Sequence, residues 1–226
     1  MPMFKNAPTF KVVEEGEVSS GEGDDALYNV EIRVVDDAGG FKAIRTIDYI
    51  LALTSPVFKQ QFFGSLTLSA NCGDSTKKKM EVVNILGFSF NIVKDFIELI
   101  CTSNASIVDL ANDFGYLFAM LRIGDMYQVL DVVDLVKGRI ATVKITPADA
   151  VKAASIAENY KDLLNFEDVS EEVLGRCAAV LVEQCSAEDL CKFIFSNKGT
   201  SRAVVSLMNK GLWNILSFLK LINLFI

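Results

Sequence analysis

Ser55-Pro56 splits the run from Phe41 to Gly64, FKAIRTIDYILALTSPVFKQQFFG, and this stretch most narrows what the chain can become. Serine is a favoured helix N-cap. Proline is tolerated at the first helical position because the N–H it lacks had no intrahelical partner anyway. Gly64 suits a left-handed C-cap. The spacing predicts the end of a strand, a short helix, a corner at Ser55 and a second helix stopped by Gly64. In the first helix Ile47, Ile50 and Leu51 share one face; in the second, Val57, Phe58, Phe62 and Phe63 supply bulk for a core.

Strand patterning lies on both sides of this corner, and helical patterning takes over after the last strand. Tyr28 to Val35 alternates, with Val30, Ile32 and Val34 on one face and Asn29, Glu31 and Arg33 on the other, as in a half-buried strand. Asp36-Asp37-Ala38-Gly39-Gly40 is turn chemistry, so Phe41 to Ile44 returns as a hairpin partner, and Met80 to Leu86 forms a third strand. Beyond it the pattern is helical. Ser89 is placed to cap a helix running to about Cys101, with Val93, Phe96, Ile97 and Ile100 buried. Ser106-x-x-Asp109 has capping-box spacing, followed by Leu110, Phe114, Leu117, Phe118 and Leu121 at helical intervals. Gly124 interrupts, then Met126, Tyr127, Leu130, Val133 and Lys137 resume the period.

Thr146-Pro147-x-Asp149 opens a further helix with Val151, Ala154, Ala157 and Leu164 as its stripe, and another runs from about Ser170 to Cys185. Two more follow, one capped by Ser186-x-x-Asp189 and one spanning about 201–210. Hairpin, helical hairpin, strand and then helices is an α+β order with a small sheet. The expected organisation is a flexible acidic arm over 1–26, in which Phe10 to Val13 is a strand candidate, an α+β unit over 27–143 and a helical region over 144–226. The apolar tail, Leu212 to Ile226, is interrupted by Asn214, Ser217, Lys220 and Asn223. It falls short of the roughly 20 apolar residues a bilayer span needs, so a core or interfacial helix, or the edge of a longer domain, is expected in place of membrane insertion.

Composition then removes function classes. The chain has no histidine, which eliminates Ser-His-Asp and Cys-His nucleophiles, imidazole metal ligands and imidazole pH switches together. The carboxylate pairs lie in an arm, a turn and a helix start, where solvation and the helix dipole account for them, so no enzymatic activity, cofactor or metal is expected. A net charge of −7 argues against broad nucleic-acid affinity. Five cysteines show no C-x-x-C pair, which fits reduced thiols in the cytoplasm, with the nucleus as the other location. The opening MPMFKNAPTF lacks the layout of a secretory signal.

The order Leu51-Ala52-x-x-Ser55-Pro56-Val57-Phe58, followed by Phe62-Phe63-Gly64, resembles the heart of the BTB/POZ domain family. The likeness runs from about Tyr28 to Ile140. It takes in the strand ending at Leu86, the helix ending Phe96-Ile97-Glu98-Leu99-Ile100, and Asp125-Met126-Tyr127-Gln128-Val129. Residues 144–211 resemble the BACK helical extension through their order of four short capped helices. The resemblance implies a BTB/POZ fold, a small sheet surrounded by helices, followed by an all-α BACK-like region. It also implies a protein–protein interaction module: a self-associating homodimeric adaptor or scaffold for an unnamed protein target, which either serves a cullin ubiquitin ligase or has lost cullin recruitment.

Particular residues carry these expectations. The dimer interface implied by the resemblance comprises Asn29, Ile44, Ile47, Asp48 and Ile50, with Leu51 and Leu53 facing the core. Asn29 stands where the family usually has Asp, and Ile47-Asp48 where it usually has His-Lys, so the usual dimer electrostatics are altered. Phe62, Leu66, Leu68 and Tyr127 map to the cullin-type partner surface. The family's recruitment motif ends in Glu, and here Leu68 occupies that place, so the cullin contact is expected to be weakened.

Overall fold

The computed structural model describes residues 10–13, 28–35, 40–64, 80–163 and 165–184. The rest of the acidic arm, the turn at 36–39, the polar stretch 65–79 with Leu66 and Leu68, Leu164, the helices predicted after 185 and the apolar tail lie outside the described residues. The elements are β1 (Phe10–Val13), β2 (Val30–Val35), β3 (Phe41–Thr46), α1 (Asp48–Thr54), α2 (Pro56–Phe63), β4 (Glu81–Ile85), α3 (Phe90–Thr102), α4 (Ser106–Asp109), α5 (Phe114–Met126), α6 (Leu130–Thr142), α7 (Pro147–Lys161) and α8 (Glu167–Gln184). The order is hairpin, two short helices, a further strand and then helices only, as the sequence predicts, and the class is α+β. Two compact units divide the chain, one of residues 1–110 with 119–135 and one of residues 111–118 with 136–226.

The first unit holds a mixed four-stranded sheet in the order β1-β3-β2-β4. β2 and β3 form the predicted antiparallel hairpin, with Ile32 opposite Ile44, and the strand candidate Phe10–Val13 pairs antiparallel with β3. β4 lies parallel to β2, with Val83 opposite Ile32. Parallel neighbours need a crossover, and here α1 and α2 lie in it. The core side of the sheet presents Val30, Ile32, Val34, Ile44, Val83 and Ile85, all buried along with Leu51, Phe58, Phe96 and Ile97.

Three expectations are corrected here. Glu31 was assigned to a solvated strand face, yet it is 6% exposed, and Arg45 opposite it is 8% exposed. The Glu31 carboxylate accepts hydrogen bonds from Arg33 Nε at 2.7 Å and Arg45 Nε at 3.1 Å, so these charges are paired where they lie. Ile44 was expected at a dimer interface, but the register turns its side chain into the core and leaves none of it exposed. The capping box at Ser106 is not formed. Ala105 occupies the N-cap position without a side-chain bond, α4 ends at Asp109, and Leu110 is exposed. The Ser106 N–H is instead 3.3 Å from Asn104 Oδ1, and the next helix starts where Asp113 Oδ1 accepts from the Tyr116 N–H at 2.9 Å.

In the second unit Thr146 caps α7 as the sequence predicts, its hydroxyl oxygen accepting from the Asp149 N–H at 3.3 Å. Ala150, Ala153, Ala154 and Ala157 are buried, and α7 packs on α8. The predicted Ala154 and Ala157 are in the stripe, while Val151 is only half-buried and Ala150 and Ala153 take its place. α8 begins at Glu167, earlier than predicted, after Asn165 turns the chain in the left-handed region at φ 70°. Arg176 donates to the carbonyl of Ile140 at 2.6 Å and also to that of Val143, closing the end of α6.

Candidate functional site

α1 begins under a handicap, because its N-cap residue is Ile47 and offers no side-chain acceptor. Asn29 fills the gap from outside the helix: its Oδ1 accepts from the Asp48 N–H at 2.8 Å. Asp48 Oδ1 in turn accepts from the Tyr49 N–H at 2.6 Å. Asn29 and Asp48, expected at an interface, are thus engaged in starting a helix within this chain.

With that start, rotation along the helix decides what faces outward. Leu51 is fully buried, Ile47 and Ile50 are half-buried, and Tyr49 and Leu53, one turn apart, are 61% and 67% exposed. Leu53 therefore points away from the core it was expected to join. Helical geometry accounts for this, since Leu51 and Leu53 lie roughly 200° apart on the helix.

The chain then turns at Ser55, whose oxygen accepts from the Phe58 N–H at 3.1 Å and so caps α2. The same hydroxyl donates to the Tyr127 carbonyl at 2.5 Å, joining the α1–α2 corner to the α5–α6 corner. Aromatic packing reinforces the junction. Phe58 stacks on Tyr127 with ring centroids 4.4 Å apart, and Phe96 and Phe62 lie 5.8 Å from Tyr127 and 5.6 Å from Phe58 respectively. Gln128 continues the second corner in the left-handed region, at φ 54°. Gly124 lets the turn close: a Cβ there would stand 3.2 Å from Val132 and 3.3 Å from Val133.

Between the two corners runs a groove of about 760 Å³, lined among others by Tyr49, Leu53, Lys59, Phe63, Leu130 and Asp131. Leu130 is 70% exposed and Phe63 37%. Four large apolar side chains around one groove, flanked by a lysine and an aspartate, suit a surface that another protein covers. Among the described residues no three metal-ligating side chains come together, and no helix is long and apolar enough to cross a membrane. Burial pushes the Cys177 thiol up to about 12, so it is not a ready nucleophile.

Of the predicted partner residues, Tyr127 is buried and its phenol is pushed up by desolvation, which makes it core. Phe62 is half-buried beside Phe58. Leu66 and Leu68 lie outside the described residues. The exposed large apolar residues around the groove are Phe63 and Leu130 together with Tyr49 and Leu53. The i, i+4 spacing of Tyr49 and Leu53, off the Ile47-Ile50-Leu51 face, was the available signal for the last two.

A family model for the BTB/POZ domain matches residues 25–142, a span that holds β2 through α6. No curated protein matches the chain.

Proposed function

Because this chain belongs to the BTB/POZ domain family, a family of protein–protein interaction modules, we propose that it acts as a self-associating scaffold whose groove is covered by a second copy of itself. The observation that carries the reading is the exposure of Tyr49, Leu53, Phe63 and Leu130 around one groove. A second copy suits it on two counts. An isologous contact buries the same apolar residues on both partners, and a groove carrying both Lys59 and Asp131 is matched in charge to itself. Half-buried Ile47 and Ile50 would flank this contact. Asn29 and Asp48 would act through the placement of α1, and Ile44 would have no part.

In this reading the BTB unit extends over 27–143, the acidic arm precedes it, and the region from 144 onwards is a BACK-like spacer presenting a protein target. Cytoplasmic or nuclear work fits a chain of reduced thiols. Cullin recruitment is the less favoured role, since Leu68 stands where the recruitment motif carries its acid.

Light scattering on the full chain at tens of micromolar tests self-association. The unmodified protein should run as a dimer and Leu53→Asp as a folded monomer. An unmodified monomer, or a dimer indifferent to Leu53→Asp and Leu130→Asp, would exclude the groove as the interface.

A further inference from the structure

We infer that Ser55 is the positioning residue of the groove: its hydroxyl latches the α5–α6 corner to the α1–α2 corner and so sets the two walls on which the apolar contacts stand. The inference rests on the reading of the groove as a docking surface.

Leu53, Pro56, Lys59 and Phe63 line the groove from α1 and α2, and Gln128, Leu130 and Asp131 from the segment after α5. Ser55 sits between the first set, with its backbone N–H on the Leu51 carbonyl at 3.0 Å. Tyr127 immediately precedes the second set. One side chain therefore spans both walls, accepting from Phe58 N–H on one side and donating to Tyr127 C=O on the other. Ser55 is 1% exposed, so water cannot easily replace either bond.

The far wall needs such a hold. Gln128 is a non-glycine residue in the left-handed region, a conformation that persists only when its surroundings enforce it. Its own N–H reaches the Asp125 carbonyl at 3.0 Å, and the Val129 N–H reaches that of Gly124 at 2.8 Å. These bonds tie the corner to α5 but not to α1 and α2. The Ser55 hydroxyl supplies that second tie by hydrogen bond, while the rings of Phe58 and Tyr127 supply it by stacking, which tolerates sliding. A hydrogen bond is directional, so it fixes where Leu130 stands relative to Leu53 more closely than stacking does.

Ser55→Gly is the informative variant, because glycine is a tolerated N-cap and keeps α2 capped nearly as well while removing the latch. Amide hydrogen exchange is read at Gln128 and Val129 and compared with Phe96 and Ile97 in α3. The expected result is exchange at the corner accelerated about fivefold or more beyond any change in α3, as fits the loss of one buried hydrogen bond. The self-association constant of the folded protein should weaken by a similar factor, and Ser55→Thr, which keeps a hydroxyl, should restore both. Acceleration that is uniform across the unit, or absent, would overturn the inference and leave Ser55 a cap alone. If the unmodified chain does not self-associate, the docking reading fails while the exchange comparison still decides the latch. Should Ser55→Gly not fold, Ser55→Cys, with a weak S–H donor of similar size, is read in the same way.

Discussion

Phe58 and Tyr127, far apart in the chain, lie face to face with ring planes 20° from parallel and centroids 4.4 Å apart. The contact ties α2 to the end of α5 and gives the Ser-Pro helix its hydrophobic anchor, since Phe58 is entirely buried. Tyr127→Ala should therefore cost about 3–5 kcal/mol, the range for emptying a buried aromatic site. Tyr127→Phe should stay within about 1 kcal/mol, because the ring does the packing. Urea unfolding of both variants checks the pair. A large cost for the phenylalanine variant would show that the hydroxyl matters after all.

Acid sensitivity should follow Glu31. Burial pushes its carboxyl up, but the hydrogen bonds and charges of Arg33 and Arg45 outweigh that and hold it below its ordinary 4.5. A depressed carboxyl stabilises the fold fully above its unfolded-state value, and the contribution disappears as pH falls through the folded-state value. Stability should thus decline as pH drops from about 4.5, and Glu31→Gln should flatten this limb while costing about 1–3 kcal/mol near neutrality. Thermal melts across pH 3 to 7, roughly the window set by these carboxyl values, read both effects.

Arg176 offers a test of the second unit. Its guanidinium serves the Ile140 and Val143 carbonyls, where the negative end of the α6 dipole also favours a cation. Arg176→Ala should destabilise by about 1.5–3 kcal/mol. Arg176→Lys should recover only part of this, because an ammonium lacks the planar fork that reaches two acceptors. Equal stability of the lysine variant and the unmodified protein in calorimetry would rule out the fork as the reason.

Leu68 gives the sharpest functional expectation. Losing a charge-assisted contact at an interface costs at least about 2 kcal/mol, or roughly 30-fold in affinity. A cullin N-terminal domain should bind this chain weakly or not at all, and Leu68→Glu should give a measurable gain in a calorimetric titration. Submicromolar binding by the unmodified protein would restore the ligase-adaptor role.

The helical corner is legible because its start is written in local chemistry, a serine cap and a proline at the first position. Gly64 does follow the last residue of α2, but at φ −67° in the right-handed region and not as the left-handed cap expected of it. Strand alternation likewise placed Val30, Ile32 and Val34. The same alternation could not disclose that Glu31 is covered too, because burial of the second face depends on what packs there and on Arg45 from the neighbouring strand. The break between α4 and α5 was missed since Ser106, Asn104 and Asp113 are all plausible caps, and only the folded backbone shows which donors they reach. Around the groove Phe63 and Leu130 are exposed, close in the chain to Phe62 and Tyr127, and periodicity alone does not separate the exposed from the covered member of each pair. Ile44 looked spare as a surface residue until the hairpin register turned it inward.

The parallel pairing of β2 with β4 leaves this fold room to diversify. Gly64 ends the α2 arm of the crossover and Met80 stands just before β4, so the chain between them must only join two fixed points. The entropy of such a closure rises slowly, by about 0.6 kcal/mol for each doubling of length. By that measure, a change in the length of this connection should cost the sheet little.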